Sequence, residues 1–165
     1  MCATPPPRWR RPQRTGQLGV VTTWRNEASP QAQIDLDELL GAALGFAQKQ
    51  LDAHAEFYPY AVVVDVDGQQ RMVSADSGSD RPKSSELITT LVGKLSEQRD
   101  QLRGAAIVAD VRLPAKGDAV RVTLEHAEQV ALTVLLPYRR RRFGRGVDYG
   151  DLQAGVAVAF VWPSD

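Results

Sequence analysis

Apolar residues recur along this chain with two different periods, and each change of period predicts a new element. In IDLDELLGAALGFAQKQLDAH, residues Leu40, Leu44, Ala47 and Leu51 follow one another at helical spacing, with Leu36, Leu39, Ala43 and Phe46 beside them. The pattern is that of an amphipathic helix. Asp35 is placed to cap its first turn, with Glu38 completing a capping box, and Pro59 ends it near Glu56 by pushing Tyr58 toward extended geometry.

The β-branched run YAVVVDV predicts a buried strand, Asp67-Gly68 a tight hairpin turn, and QQRMVSA the returning strand. After the loop DSGSDRP, Ser84 or Ser85 caps a second helix whose buried face is Leu87, Ile88, Leu91, Val92, Leu95 and Leu102, with Gly104 at its C-terminal cap. Four strand-like runs follow, over 105–113, 119–126, 130–138 and 152–162. In the second of these, Val120, Val122 and Leu124 alternate with Arg121, Thr123 and Glu125, as in a strand with one face in water.

Short links between these runs make antiparallel hairpins. The expected fold is α+β: a two-layer sandwich with both helices on one face of a mainly antiparallel sheet of about five to six strands, in the order α-β-β-α-β-β-β-β. Residues 1–33 show no sustained period, carry Pro5 to Pro7, Pro12 and Pro30, and offer only LGVV as apolar material. They are expected to be a disordered or loosely docked basic arm, ahead of a single domain over 34–163.

Composition narrows the class. A chain of 165 residues fits one domain with a tail, burying one core. No apolar run reaches the roughly 18 to 20 residues of a membrane span. The N-terminal segment lacks the apolar region of a secretory signal, and Pro5 to Pro7 would break the helix of an organelle transit peptide. Cys2 is the only cysteine, so one chain can form neither an internal disulfide nor a thiolate metal cage. A reducing cytoplasm is the expected compartment.

The formal net charge of +0 conceals an asymmetry. Arg8, Arg10, Arg11, Arg14 and Arg25 crowd the arm, Arg139 to Arg142 and Arg145 crowd one later segment, and the remainder is acidic. The excess of Arg over Lys suits bidentate phosphate or carboxylate recognition, and a G+C-rich genome would produce it equally well.

Two stretches look like enzyme motifs. His54-Ala55-Glu56 has the H-x-E of zinc deaminases, but at a helix end and without the P-C-x-x-C that completes that metal site. VVVDVDG resembles motif I of haloacid-dehalogenase-like phosphatases, whose first aspartate becomes phosphorylated; the resemblance implies a magnesium-dependent enzyme using Asp65 and Asp67. Gln69 departs from the Thr or Val of that family, and a strand at hairpin distance departs from its parallel sheet. No nucleophile elbow, phosphate-binding glycine loop or calcium loop accompanies either stretch. No cofactor and no metal ion is expected.

The most distinctive polar stretch is PYRRRRFGRGVDYGDL, where Arg139, Arg140, Arg141, Arg142 and Arg145 are interleaved with Tyr138, Phe143 and Tyr149. Guanidinium groups neutralise phosphates and rings stack on bases, so Arg139, Arg140, Arg141, Arg142, Phe143 and Arg145 form a candidate binding surface for nucleic acid or another anionic partner. A flexible loop kept soluble by its charge has the same composition.

FYPY places three aromatic rings at the junction of the first helix and strand, as a plug beneath the helix. An amphipathic helix ending in E-F-Y-P-[FY], followed by an apolar strand and D-G, resembles a group of small bacterial α+β proteins to which no activity is attached. The element order is also similar in outline to Roadblock-type and profilin-like domains, which dimerise or bind partners. The expected function is therefore that of a non-enzymatic cytoplasmic interaction module, regulatory or toxin-neutralising, with a protein partner or a second copy of itself. The alternatives are nucleic-acid binding through residues 139–145 and the phosphatase reading of Asp65 and Asp67.

Overall fold

The computed structural model describes residues 25–144 and 146–163. Helix α1 spans Pro30–His54 and starts ahead of the expected Asp35. Ser29 caps it by accepting the Ala32 N–H at 3.1 Å, and Pro30, which has no N–H to satisfy, takes the first helical position. Ala28 and Ala32 are buried in the core, so residues 25–33 belong to the fold, while residues 1–24 of the expected arm lie outside the described residues. The helix closes at Ala55, whose left-handed backbone (φ 67°) returns its N–H to the Leu51 carbonyl.

Strands β1 (Tyr60–Asp65) and β2 (Gln70–Ser74) form the expected hairpin. Its turn is longer than Asp67-Gly68 alone: Asp65 pairs with Gln69, and Gly68 at φ 85° carries the left-handed position. A type I turn closed by a glycine bulge has this form. Helix α2 (Ser84–Glu97) follows, with Lys83, not a serine, at its N-cap, and a short 3-10 turn over Arg99–Gln101. Then come β3 (Leu102–Leu113), β4 (Gly117–His126), β5 (Val130–Arg140), β6 (Val147–Tyr149) and β7 (Gln153–Val156).

All pairings are antiparallel, in the order β2-β1-β3-β4-β5, and β6 and β7 share the far edge of β5. The α+β class and the antiparallel sheet agree with the sequence. The expected last strand over 152–162 is instead confined to its first part, and residues after Val156 leave the sheet.

The helices do not share a face. Tyr60, Val62 and Val64 of β1 join α1 in one apolar cluster with Ala106, Val108, Val120, Val122 and Leu124, whereas Ala61 and Val63 join Leu91 and Leu95 of α2 with Ala105 and Ile107. Successive side chains of a strand point to opposite faces, so α2 lies on the side opposite α1. The physical reason is in the strands: β1 is apolar at both parities and must be covered twice, while β4 and β5 alternate and need one cover.

Gly104, expected to cap α2, stands inside β3, where a Cβ would meet Leu39 Cδ1 at 3.0 Å and Val64 Cγ1 at 3.3 Å. Its missing side chain lets α1 approach the sheet. No helix among the described residues is long and apolar enough to cross a membrane.

Candidate functional site

The arginine run does not form one surface. Arg139 and Arg140 close β5, opposite Asp148 and Val147 of β6, and strand alternation sends them to opposite faces. Arg140 turns toward α1, where its guanidinium donates to the Ala55 carbonyl at 2.9 Å and so caps the negative end of the helix. Arg141 pairs with Asp148 across the hairpin, Nε to Oδ1 at 3.0 Å. Arg139 and Arg142 are exposed and make no ion pair among the described residues. Phe143 at the tip is 90% exposed; Arg145 lies outside the described residues.

Beneath the hairpin, Tyr138 donates to Asp110 Oδ1 at 2.6 Å. Burial raises the pKa of Asp110, with Asp118 and Glu56 adding repulsion, against the opposing effects of that bond and of Arg140. Among the described residues the buried Tyr149 hydroxyl has no hydrogen-bond partner; burial, with Asp52 nearby, pushes its pKa up to about 12.

At the other end of the sheet the fold encloses a polar cluster that sequence reasoning missed. Asp35, expected as a cap, is buried and faces the sheet. Its Oδ2 lies 2.9 Å from His126 Nε2, and its Oδ1 accepts from Arg103 and Gln31, both at 2.9 Å. His126, the last residue of β4, is also buried. Its Nδ1 accepts the Glu128 N–H at 3.2 Å, so the ring proton sits on Nε2 and points at Asp35. Burial pushes the Asp35 carboxyl up, but the bonds from His126 and Gln31, with the charge and bond of Arg103, outweigh it and hold the pKa below the ordinary aspartate value. Ser29 completes the end by donating both N–H and O–H to Glu128.

Both nitrogens of His126 and both oxygens of Asp35 are thus engaged by the fold itself. The cluster fastens the start of α1 to β3 and the β4–β5 turn. The signal for it was the pair Asp35 and His126, each polar at a position whose helical or strand period marks it as inward.

A third buried group closes the chain. The Glu125 carboxylate, 1% exposed, accepts three backbone N–H groups, from Phe160 (2.9 Å), Val161 (2.6 Å) and Trp162 (2.8 Å). Three converging amides replace the water a buried charge loses. This accounts for the departure of residues 157–162 from the sheet.

The enzyme look-alikes dissolve into local structure. His54 and Glu56 are exposed at the end of α1. Asp65 Oδ1 accepts the N–H groups of Asp67 and Gln69, both at 2.9 Å, as a turn aspartate does, and β1 has antiparallel neighbours on both sides. Among the described residues no group of three or more His, Cys, Asp or Glu side chains could hold a metal ion.

One surface remains. Helix α2 packs on β1 and β3, so the same face of β4 and β5 lies beyond it. Arg121, Thr123, Thr133, Leu135 and Pro137 are half-buried there, next to Val111 and Leu113 at the end of β3, and Arg139 continues the row. The chain matches no protein-family model, no curated protein and no solved structure.

Proposed function

We propose that the protein is a non-enzymatic binding module of the cytoplasm, and that it docks another protein on the uncovered half of its sheet. The observation that carries this reading is the division of the second face: α2 covers β1 and β3, and residues 160–162 close over Glu125 at one end of β4, while farther along β4 and β5 present Thr133, Leu135 and Pro137 between Arg121 and Arg139. Leu135 and Pro137, with the Thr133 methyl and a charged rim, make the apolar centre and polar border of a protein interface.

Charge selects the partner. Neither Arg121 nor Arg139 has an ion pair among the described residues. On this side of β4, β5 and β6 the carboxylates are Glu125, enclosed by three amides, and Asp148, bound to Arg141. The fitting partner is acidic around an apolar patch. Base stacking needs rings, and this half of the sheet carries none; Phe160 and Trp162 pack with the α2 cluster instead.

A photo-crosslinking residue at Thr133, compared in cells with one at exposed Glu97 beside the covered half, tests the reading. Adducts specific to position 133 and lost on Arg121→Glu are expected. Identical products at both positions would refute it.

Phe143 supports a second reading, in which the hairpin tip binds nucleic acid. It predicts salt-sensitive binding of single strands that Phe143→Ala and Arg142→Ala both weaken; binding indifferent to both would dispose of it.

A further inference from the structure

The two edges of the sheet differ in how they are protected. Strand β2 carries Arg71, and Lys94 of α2 places its Nζ 2.9 Å from the Ser74 carbonyl, occupying an edge acceptor with a charge. Such devices keep edges from pairing. Strand β7 has none. From Leu152 to Pro163 the sequence LQAGVAVAFVWP contains no charged residue, β7 is exposed throughout, and Val156 and Val158 are 77% and 89% exposed.

The outer edge of β7 is also correctly presented for pairing. The Ala157 N–H donates to the Ala131 carbonyl, so residues 153, 155 and 157 turn their backbone groups toward β5. Ala154 and Val156 therefore direct theirs away from it. Among the described residues no strand pairs with that side.

We infer that a second copy of this chain pairs with β7, edge to edge and antiparallel, so that two sheets become one. With a two-fold axis at Gly155, the outward backbone groups of Ala154 in one copy meet those of Val156 in the other. Charge favours a second copy here. Two-fold pairing of the β7 edge sets neutral residues against neutral residues, whereas self-pairing of the uncovered face would set Arg121 and Arg139 against their own kind. A closed two-fold dimer also leaves no further copy of this edge to extend into a fibre.

The full chain measured by sedimentation equilibrium from about 1 to about 100 μM is expected to be a dimer, and Val156→Lys is expected to weaken it by ~tenfold or more. Val156 is exposed, so that variant should keep the wild-type far-UV circular dichroism spectrum and lose only the thermal stability that association adds. As an independent measurement, Gly155→Cys in a Cys2→Ser background should form an intermolecular disulfide on mild oxidation, since the two-fold axis brings the two copies of this residue together and no atom of the described residues lies within 4 Å of where its Cβ would stand. Arg121→Glu, on β4 of the proposed docking face and separated from β7 by β5, should leave the mass unchanged, which separates this interface from that face. A monomer at every concentration, or a dimer that Val156→Lys leaves intact and Gly155→Cys does not cross-link, would overturn the inference.

Discussion

Asp35 and His126 stand 91 residues apart in sequence and 2.9 Å apart in the fold, with side chains 1% and 4% exposed. Their contact joins the first helix to the fourth strand. Removing the carboxylate leaves the inward-pointing Nε2–H and the Arg103 guanidinium without their acceptor, so Asp35→Ala should destabilise the protein by about 3–5 kcal/mol. Urea unfolding measures this, and a loss under about 1 kcal/mol would show that the cluster relaxes.

The same carboxylate sets an acid limit. Its folded pKa lies below the ordinary value, so its stabilising contribution is complete above the unfolded pKa of roughly 4 and declines as pH falls through the folded pKa. Wild-type stability should therefore fall with acidification below about pH 4. Asp35→Asn should start lower and show a shallower decline over that window; parallel curves would assign the acid limb elsewhere.

Gly104→Ala tests the close approach of helix and sheet. The added methyl meets Leu39 and Val64 side chains and, at 3.4 Å, the Glu125 carbonyl. A loss of about 1–3 kcal/mol is expected, and the same substitution should cost less in a Leu39→Ala background, as a double-mutant cycle would show.

Glu125→Ala removes the acceptor of three amides. Hydrogen exchange at Phe160, Val161 and Trp162 should accelerate well beyond that of β3 and β4, because the segment has no strand partner to hold it. Uniform acceleration throughout the sheet would mean that Glu125 supports the core and not the segment.

Arg140 and Arg142 stand two residues apart and should behave differently. Arg140→Ala removes the bond to the Ala55 carbonyl and should lower stability by about 0.5–1 kcal/mol. Arg142→Ala should change it by less than about 0.5 kcal/mol. Equal effects in thermal unfolding would contradict this division.

The fold was legible where the pattern was strong. Alternation in Val120, Val122 and Leu124, the helical spacing from Leu36 to Leu51 and the pair Asp67-Gly68 placed the elements and the hairpin. The side taken by α2 was also readable, since VVV in β1 is apolar at both parities, but element order alone pointed to a shared face. The polar clusters were less accessible. Asp35 reads as a cap until Ser29 and Pro30 are seen to start the helix, and nothing local to Glu125 indicates that amides thirty-five residues on will enclose it. Long-range partners of single polar residues leave no periodic trace.

The split of Arg139 from Arg140 reaches beyond this hairpin. Consecutive like charges that lie on a strand are shared out between two sides of the molecule, so an approaching anion encounters only every second one. Counting letters in RRRR overstates the field that any single ligand would feel, and a helix or an open loop would have been needed to gather all four.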